Sequence, residues 1–252
     1  LQFMNRAHNA KEAVESIQNA KEAGFSNISI DLIFGSQTTT NKMWQENLAT
    51  FFELDINHLS AYSLTVEEKT ALAHRVAKSK VENVDDEKNY HQYLMLQSAI
   101  EDHGFEQYEL SNYCKNKAYS KHNTSYWQNK KYKGIGPSAH SFNGDSRQWN
   151  VRNNTLYINA INNDKPFFEQ EELSEIDRYH EYLITALRTI WGIDKTELQS
   201  RFSPSIISHF NERSNQLDQS MIDFSPNSLK VKSAFLFQSD KVVRVLMVEN
   251  EP

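Results

Sequence analysis

The sequence predicts an α/β protein built from parallel β/α units, followed by a smaller and mainly helical domain. Helix-like and strand-like segments alternate over the first part of the chain, at about thirty residues per unit, which is typical of parallel sheets. The pattern changes near residue 148, where a long amphipathic stretch and short helical segments replace the alternation. We therefore expect one domain over residues 1–148 and a second over residues 149–252.

The first unit reads as a helix followed by a buried strand. Asn9 can cap a helix with Glu12 as its reciprocal partner, and Gly24 supplies a left-handed stop. The β-branched apolar run NISIDLIFG at 27–35 predicts a strand. A charge inside such a strand is costly unless it is paired or lies at the strand's end. Asp31 is therefore either a functional residue or a cap for a neighbouring loop.

The next units repeat this order. Apolar residues at helical spacing over 44–51 predict a helix, and HLSAYSL at 58–64 predicts the next strand. A charged connector over 69–85 precedes a helix from about 86 to 103, and FEQYEL at 105–110 alternates like a third strand. Two β/α units are too few to close a barrel, so we expect an open sheet with an exposed edge.

The C-terminal part is predicted to be mainly helical. Ser174 and Asp177 open an amphipathic run that favours a helix. Short helices are expected near 195–217. The β-branched runs SAFLF at 233–237 and VVRVLMV at 242–248 then indicate a β-like tail.

Composition excludes several classes of function. The net charge of −6 argues against a general nucleic-acid surface, which needs clustered cations. The only cysteine is Cys114, so neither an internal disulfide nor a four-cysteine metal site can form, and a reducing, cytoplasmic location is expected. No run is long enough for a membrane helix, and no secretory signal opens the sequence. Because the chain begins at Leu1 and provides few strands, we expect a fragment of a longer protein.

Three histidines are candidates for a functional site, and each also has a purely structural interpretation. His8, close to Arg6, precedes the first helix, where a solvated helix start is the simpler interpretation. His122, in KHNTSYW, is either a ligand of haem iron flanked by aromatic rings or a hydrogen-bonded core histidine. His140 follows GIGPSA, whose glycines permit either close approach of a ligand or a structural turn. Cys114 is expected to be an inert thiol.

Seven motifs occur in an order and spacing that resemble one protein family. They are NRAHNAKEA, GFSNISIDLIFG, HLSAYSLTVEE, GFEQYELSNY, KHNTSYW, YKGIGPSAHSF and QWNVRN. Together they resemble the radical-SAM proteins related to oxygen-independent coproporphyrinogen III oxidase, and most of all the HemW-type haem chaperones. The resemblance extends from Leu1 to about Phe202.

The resemblance implies the C-terminal part of a partial, open β/α barrel and a small C-terminal domain. It also implies a parent protein that binds S-adenosyl-L-methionine (SAM) and a 4Fe-4S cluster, the latter through three closely spaced cysteines. Because this chain has one cysteine, we expect it to retain neither group and to be inactive in radical chemistry alone. The positions that match SAM contacts in the family are Arg6, Asp31, Thr65 and His140.

The HNxxYW pattern is associated with haem binding in this family, and it matches His122, Asn123, Tyr126 and Trp127. The resemblance thus implies a haem site in which His122 approaches the iron. One departure concerns the segment after DLIFG: the family usually has a proline there, whereas this chain has Ser36, so we expect a looser loop and a less certain SAM contact.

Two functions follow from the resemblance. The first is a haem chaperone that binds haem, or a related porphyrin, and delivers it to an acceptor protein. The second is the oxidative decarboxylation of coproporphyrinogen III. The HNxxYW motif favours the chaperone. An exposed barrel edge also makes a homodimer plausible. An unrelated β/α enzyme would be favoured if residues 27–33 and 58–64 did not form adjacent parallel strands.

Overall fold

The structure is a computed structural model that describes residue 3 and residues 6–249. Its packing divides the chain into two compact units, Leu1–Tyr119 and Ser120–Pro252. The division differs from the expected boundary near residue 148, which falls inside the strand Ser146–Asn150. This strand pairs with a neighbour on each side, so a break at residue 148 would cut through both ladders. The change in sequence pattern therefore does not coincide with a gap in packing.

The first unit alternates helices and strands before it ends in a short hairpin. In chain order its elements are α1 (Ala10–Glu22), β1 (Ser29–Phe34), α2 (Asn41–Glu53), β2 (His58–Ser63), α3 (Ala71–Ala77), α4 (Asp86–Asp102), β3 (Glu106–Gln107) and β4 (Asn112–Cys114). The capping box of Asn9 and Glu12 is present at the start of α1, as predicted. The charged connector contains α3, whose N-cap is Thr70.

The sheet of the first unit has the order β1-β2-β4-β3. β1 and β2 are parallel, with Ser29 opposite His58 and Phe34 opposite Ser63. This adjacency removes the condition that would have favoured an unrelated β/α enzyme. The third predicted strand is shorter than expected, because the chain turns after Gln107 and returns as β4, which is antiparallel to both β2 and β3.

One face of this sheet is covered by α2 and α4. Leu59 and Ala61 of β2 and Phe34 of β1 are buried against apolar side chains of the two helices. Trp44 of α2 is fully buried, and its indole nitrogen donates to the carbonyl oxygen of Gln92 at 2.9 Å. Burial of this face supplies the main hydrophobic stabilisation of the unit.

The second unit combines two small antiparallel sheets with six helices and a 3₁₀ turn within the described residues. In chain order its elements are α5 (Lys121–Trp127), β5 (His140–Phe142), β6 (Ser146–Asn150), α6 (Asn154–Asn162), β7 (Phe168–Glu172), α7 (Glu175–Leu187), β8 (Ile193–Asp194), α8 (Lys195–Arg201), α9 (Pro204–Ser214), β9 (Ile222–Phe224), β10 (Ser228–Val231), the 3₁₀ helix Ser233–Gln238 and α10 (Ser239–Leu246). The sheets have the orders β5-β6-β7 and β8-β10-β9. Within the part of the chain described, no helix is both long and apolar enough to span a bilayer.

The predicted β-like tail is wrong in its position. The two runs assigned to it form the 3₁₀ helix and α10, whereas the strands of this region, β9 and β10, lie just before them. Val242, Val243 and Leu246 are buried together. They form one face of α10, which packs on α7 and α9. The β-branched composition indicated a strand, but tertiary packing of this face decides the conformation.

The segment GIGPSAHSF folds back on itself, which is the structural turn that its glycines allowed. A Cβ atom on Gly134 would collide with the carbonyl oxygen of His140. The amide of Gly134 also donates to the Ser141 hydroxyl at 3.0 Å. Gly134 therefore makes a tight return onto β5 possible.

We expect Trp44→Ala to lower the free energy of unfolding by about 3–5 kcal/mol, because it leaves a large cavity under the sheet. Trp44→Phe should cost about 1–3 kcal/mol, since it keeps most of the packing but removes the bond to Gln92. Denaturant unfolding followed by far-ultraviolet circular dichroism measures both. Met43→Ala is the control: this neighbouring side chain is 47% exposed, and its loss should change stability by less than about 0.5 kcal/mol. Equal effects of Trp44→Ala and Met43→Ala would contradict this account of the core.

Candidate functional site

The second face of the first sheet is polar. Side chains alternate between the two faces of a strand, so Ser29 and Asp31 of β1 share this face with His58, Ser60 and Tyr62 of β2. Asp31 is exposed, and Tyr62 keeps 39% of its surface accessible. In an open barrel such a face is the inner one, and it can present polar groups to a ligand.

His58 is the centre of a hydrogen-bonded chain across this face. Its Nδ1 atom lies 2.6 Å from the Ser29 hydroxyl, and its Nε2 atom lies 2.7 Å from the Tyr108 hydroxyl. His58 is 2% exposed, and burial lowers the pKa of its imidazole, although the charge of Asp31 opposes the shift. A neutral imidazole can donate to one of these hydroxyls and accept from the other.

A buried carboxyl group lies in the turn that joins β3 to β4. Burial raises the pKa of Glu109, and hydrogen bonds from the backbone of the turn and from the Asn112 side chain partly offset the shift. Burial also raises the pKa of Tyr62, and the charges of Asp31 and Glu109 add to it. Asp31 of β1 and Glu109 of the turn between β3 and β4 are therefore close enough to influence the same phenol.

Sequence reasoning missed His58, Tyr108 and Glu109. The segment HLSAYSL was interpreted only as a buried strand, although His58, Ser60 and Tyr62 occupy every second position. This alternation was the available signal for a polar face. No comparable signal in the sequence predicted a buried carboxyl group at Glu109, because its burial depends on the turn into β4.

The loop after β1 is held firmly by α4, in contrast to the looser loop that was expected. Gln92 accepts from the Gly35 amide at 2.8 Å and donates to the Thr39 carbonyl at 3.1 Å. The ammonium group of Lys88 donates to the Ser36 carbonyl at 2.8 Å. Gly35 itself has φ +75°, and a Cβ atom there would lie 2.5 Å from Asn89 Oδ1. The missing proline is thus replaced by polar contacts from a helix.

The predicted SAM residues are distributed over both units. Asp31 lies within β1, Thr65 follows β2 and Arg6 precedes α1; all three are exposed residues of the first unit. Thr65 is 3.5 Å from the Glu67 carboxylate. No hydrogen bond joins Arg6, Asp31 and Thr65 to one another among the described residues. His140 is the exposed first residue of β5, opposite Trp149, in the second unit. Their common role stays a prediction.

Cys114 does not have the properties of a cluster ligand. It is fully buried in β4, and burial raises the pKa of its thiol to about 12, with Glu106 contributing. A metal-bound cysteine is a thiolate, which this environment disfavours. Over residue 3 and residues 6–249 no group of three or more His, Cys, Asp or Glu side chains could hold a metal ion. The residues present therefore do not fit a cysteine-bound 4Fe-4S cluster.

The HNxxYW motif forms a short helix, α5. The Ser120 hydroxyl caps it by accepting from the Asn123 amide at 3.2 Å. His122 is exposed, and its ring meets that of Tyr126 edge-on, with centroids 5.1 Å apart and an interplanar angle of 87°. Asn123 and Trp127 occupy an adjacent, half-buried ridge. The helix thus brings His122 and Tyr126 together, one turn apart, on an accessible face.

We expect His58 to make stability dependent on pH. Its pKa in the folded chain lies below the ordinary value of 6.5, so the unfolded chain takes up the proton first as pH falls. The contribution of neutral His58 to the free energy of unfolding is therefore complete above pH 6.5. It is lost as the pH falls below that value, by at most about 1.4 kcal/mol per pH unit. Denaturant unfolding at several pH values between 5 and 8 should show this loss in the wild type.

His58→Gln provides the control, because glutamine keeps two hydrogen-bonding atoms but does not titrate. Opposing contributions from Glu109 are common to both proteins and cancel in the difference. The variant should show a shallower loss of stability on the acid side. Parallel curves for the two proteins would show that His58 does not carry the effect.

Comparison with known proteins identifies relatives of the chain, although no protein-family model matches the sequence. It is 34% identical over 207 residues to the protein named heme chaperone HemW of Bacillus subtilis, across 82% of this chain and 55% of the relative. It is 29% identical over 217 residues to heme chaperone HemW of Lactococcus lactis, across 86% of this chain and 57% of the relative. The chain thus spans little more than half the length of these relatives.

A mitochondrial relative and a solved structure extend this picture. The chain is 34% identical over 140 residues to radical S-adenosyl methionine domain-containing protein 1 of mouse, across 56% of this chain and 32% of that protein. It superimposes on coproporphyrinogen III oxidase (HemN) of Escherichia coli, described as a radical SAM enzyme, with a TM-score of 0.77 and 15% identity. The match covers 96% of this chain and 59% of that one, which confirms the predicted partial β/α fold.

The ordered motifs, the parallel β1–β2 pair and these relatives agree: the chain is a homologue of the HemW haem chaperones and of the radical-SAM-domain proteins.

Proposed function

We propose that the chain contributes the haem-binding surface of a haem chaperone, which holds haem and passes it to an acceptor protein. The observation that carries the proposal is the exposed His122 on α5, with the ring of Tyr126 edge-on beside it. Two relatives that bear the name heme chaperone support it. A neutral imidazole is a common axial ligand of haem iron, and adjacent aromatic surface suits a flat macrocycle.

The exposure of this face suits delivery as well as binding. A chaperone must release its cargo, and a ligand held on a helix surface leaves much of the macrocycle open to a second protein. A buried haem pocket would enclose the iron and slow transfer. In this proposal Asn123 and Trp127, which are half-buried, fix the helix from behind, and His122 and Tyr126 meet the cargo.

The radical-SAM cofactors enter the proposal only through the first unit. When SAM and its cluster are bound in a radical-SAM protein, the cluster supplies the electron that cleaves SAM. Here we propose that Asp31, Thr65 and Arg6 offer polar contacts to SAM. The single buried cysteine does not serve the cluster. It is compatible with a reducing compartment, and we propose the cytoplasm.

A coproporphyrinogen III oxidase activity is the second candidate function. The superposition on that enzyme supports the fold alone, because the identity is 15%. The reaction needs the radical chemistry of a cluster that the residues of this chain do not fit. Conversion of coproporphyrinogen III to protoporphyrinogen IX, followed by fluorescence after oxidation, would favour this alternative if it occurred.

We expect His122→Ala to weaken haem binding by about tenfold or more, because it removes the proposed iron ligand. Titration with haem, followed by absorption spectra, gives the dissociation constant and the change in the iron-dependent bands. Tight one-to-one binding that is lost in the variant supports the proposal.

His74→Ala is the matched control, since His74 is also exposed and also lies on a seven-residue helix, α3. It should bind haem like the wild type. Equal binding by wild type and His122→Ala would assign His122 a structural role. Absence of haem binding by the wild type would reject the chaperone.

We also propose that the chain forms a homodimer through the edge of the first sheet. β1 is a terminal strand in the order β1-β2-β4-β3, so in the described residues only one of its sides is paired within the sheet. Unpaired backbone groups at such an edge favour pairing with another copy. Light scattering after size-exclusion chromatography should give about twice the 29.3 kDa chain mass. A monomeric mass at high concentration would exclude this contact.

A further inference from the structure

The second unit contains a cavity of about 400 Å³ beside the motif helix. Tyr126 of α5 forms one part of its wall, β5 and β6 contribute Phe142 and Arg147, and α7 contributes Glu181. We call it the aromatic cavity. Its volume lies within the range of small-molecule sites, about 300–1,000 Å³. The proposed haem surface at His122 is one helical turn away, because Tyr126 belongs to both.

Aromatic side chains in edge-on and tilted contact line one side of the aromatic cavity. The ring centroids of Tyr126 and Tyr132 are 4.9 Å apart, and those of Tyr132 and Phe142 are 6.1 Å apart. On the opposite side, α7 presents Thr185, whose hydroxyl accepts from the Asn129 amide at 3.2 Å. A row of rings that begins beside His122 and continues inwards suits the edge of a flat, conjugated ligand.

Two cations and one carboxylate give the aromatic cavity its charge. The guanidinium of Arg147 is paired with Glu181 through Nη2 at 2.5 Å, and both side chains are largely buried, at 35% and 22% exposure. Lys130 lines the same space. Glu181 neutralises one of these cations, which leaves a net positive charge. The pKa of Tyr132 is raised by burial, but less than it would be without the charge of Arg147.

We propose that the aromatic cavity takes the carboxylate-bearing edge of the porphyrin bound at His122, and that a propionate replaces Glu181 as the partner of Arg147. The proposal rests on the proposed function and names the groups that recognise the cargo. Guanidinium matches a carboxylate in geometry and charge, and it is an effective anchor where water is largely excluded. Glu181 then satisfies Arg147 while the cargo is absent.

The competing explanation is a purely structural pair that fastens α7 to β6. The two explanations predict different effects on haem affinity when Arg147 or Glu181 is removed. If the pair is structural, removing either partner lowers the stability of the protein and leaves the affinity for the ligand unchanged. A cargo-exchanging pair loses affinity when Arg147 is removed and gains affinity when Glu181 is removed.

The experiment compares haem with haem dimethyl ester, in which both carboxylates are esterified, by absorption titration of the whole chain. Arg147→Gln should weaken binding of haem by about tenfold, the usual effect of one charge-assisted hydrogen bond. It should leave binding of the ester unchanged. Glu181→Gln should tighten binding of haem and not of the ester. Arg147→Lys, which keeps the charge, should recover part of the affinity.

Arg188→Gln is the matched control, because Arg188 pairs with Asp240 at 2.9 Å at the end of the same helix, outside the aromatic cavity. It should change neither titration. If Arg147→Gln is poorly folded by circular dichroism, the gain in Glu181→Gln decides. Equal responses of haem and ester in these variants would overturn the inference and leave the role of His122 intact. If every variant, including His122→Ala, binds haem like the wild type, the proposed haem surface at His122 is rejected together with this inference. Absence of haem binding by the wild type would reject the chaperone itself.

Discussion

The parallel pairing of β1 with β2 is the constraint on which the first unit depends. In register, it places Leu59, Ala61 and Phe34 on one face and Asp31, His58 and Tyr62 on the other. A shift of one residue would exchange the two sets, bringing charge under the helices and apolar groups to the open side. The core beneath α2 and α4 and the polar face above therefore result from one choice of register.

Polar side chains of α4 connect this core to the candidate site. Gln92 is fully buried, yet its side-chain amide accepts from the Gly35 backbone amide and donates to the Thr39 carbonyl. Its backbone carbonyl oxygen accepts from the Trp44 indole. A buried amide is tolerated because its groups are satisfied. The carboxyl end of β1, where β/α folds place function, is thus held by the same helix that closes the hydrophobic core.

In the second unit, the hydrophobic core and the helix that carries the motif are separate elements. Its main core, formed around α7, α9 and α10, is independent of the first sheet, and its motif helix has only seven residues. Such a short helix is marginal on its own. The Ser120 cap and the contact of α5 with α7 hold it in place. A small, externally supported helix can present His122 at the surface while Tyr126 reaches the aromatic cavity behind it.

The sequence by itself determined the elements with strong local signals. The capping box at Asn9, the helix that begins after Ser174, the strands β1 and β2 and the long helix α4 all form where their patterns predicted. The ordered motifs determined the homology. In the candidate site, the sequence determined that HNxxYW and Asp31 stand out, because unusual residue types are visible without coordinates.

Tertiary structure decided what local signals could not. The run VVRVLMV is a helix because one of its faces is buried against α7 and α9, against its β-branched composition. His58 became the centre of a polar chain only when β4 and the turn after β3 brought Tyr108 to it. The pairing of Arg147 with Glu181, thirty-four positions apart, likewise arises from packing. Such contacts depend on distances between elements, and residue order alone does not encode those distances in any local pattern.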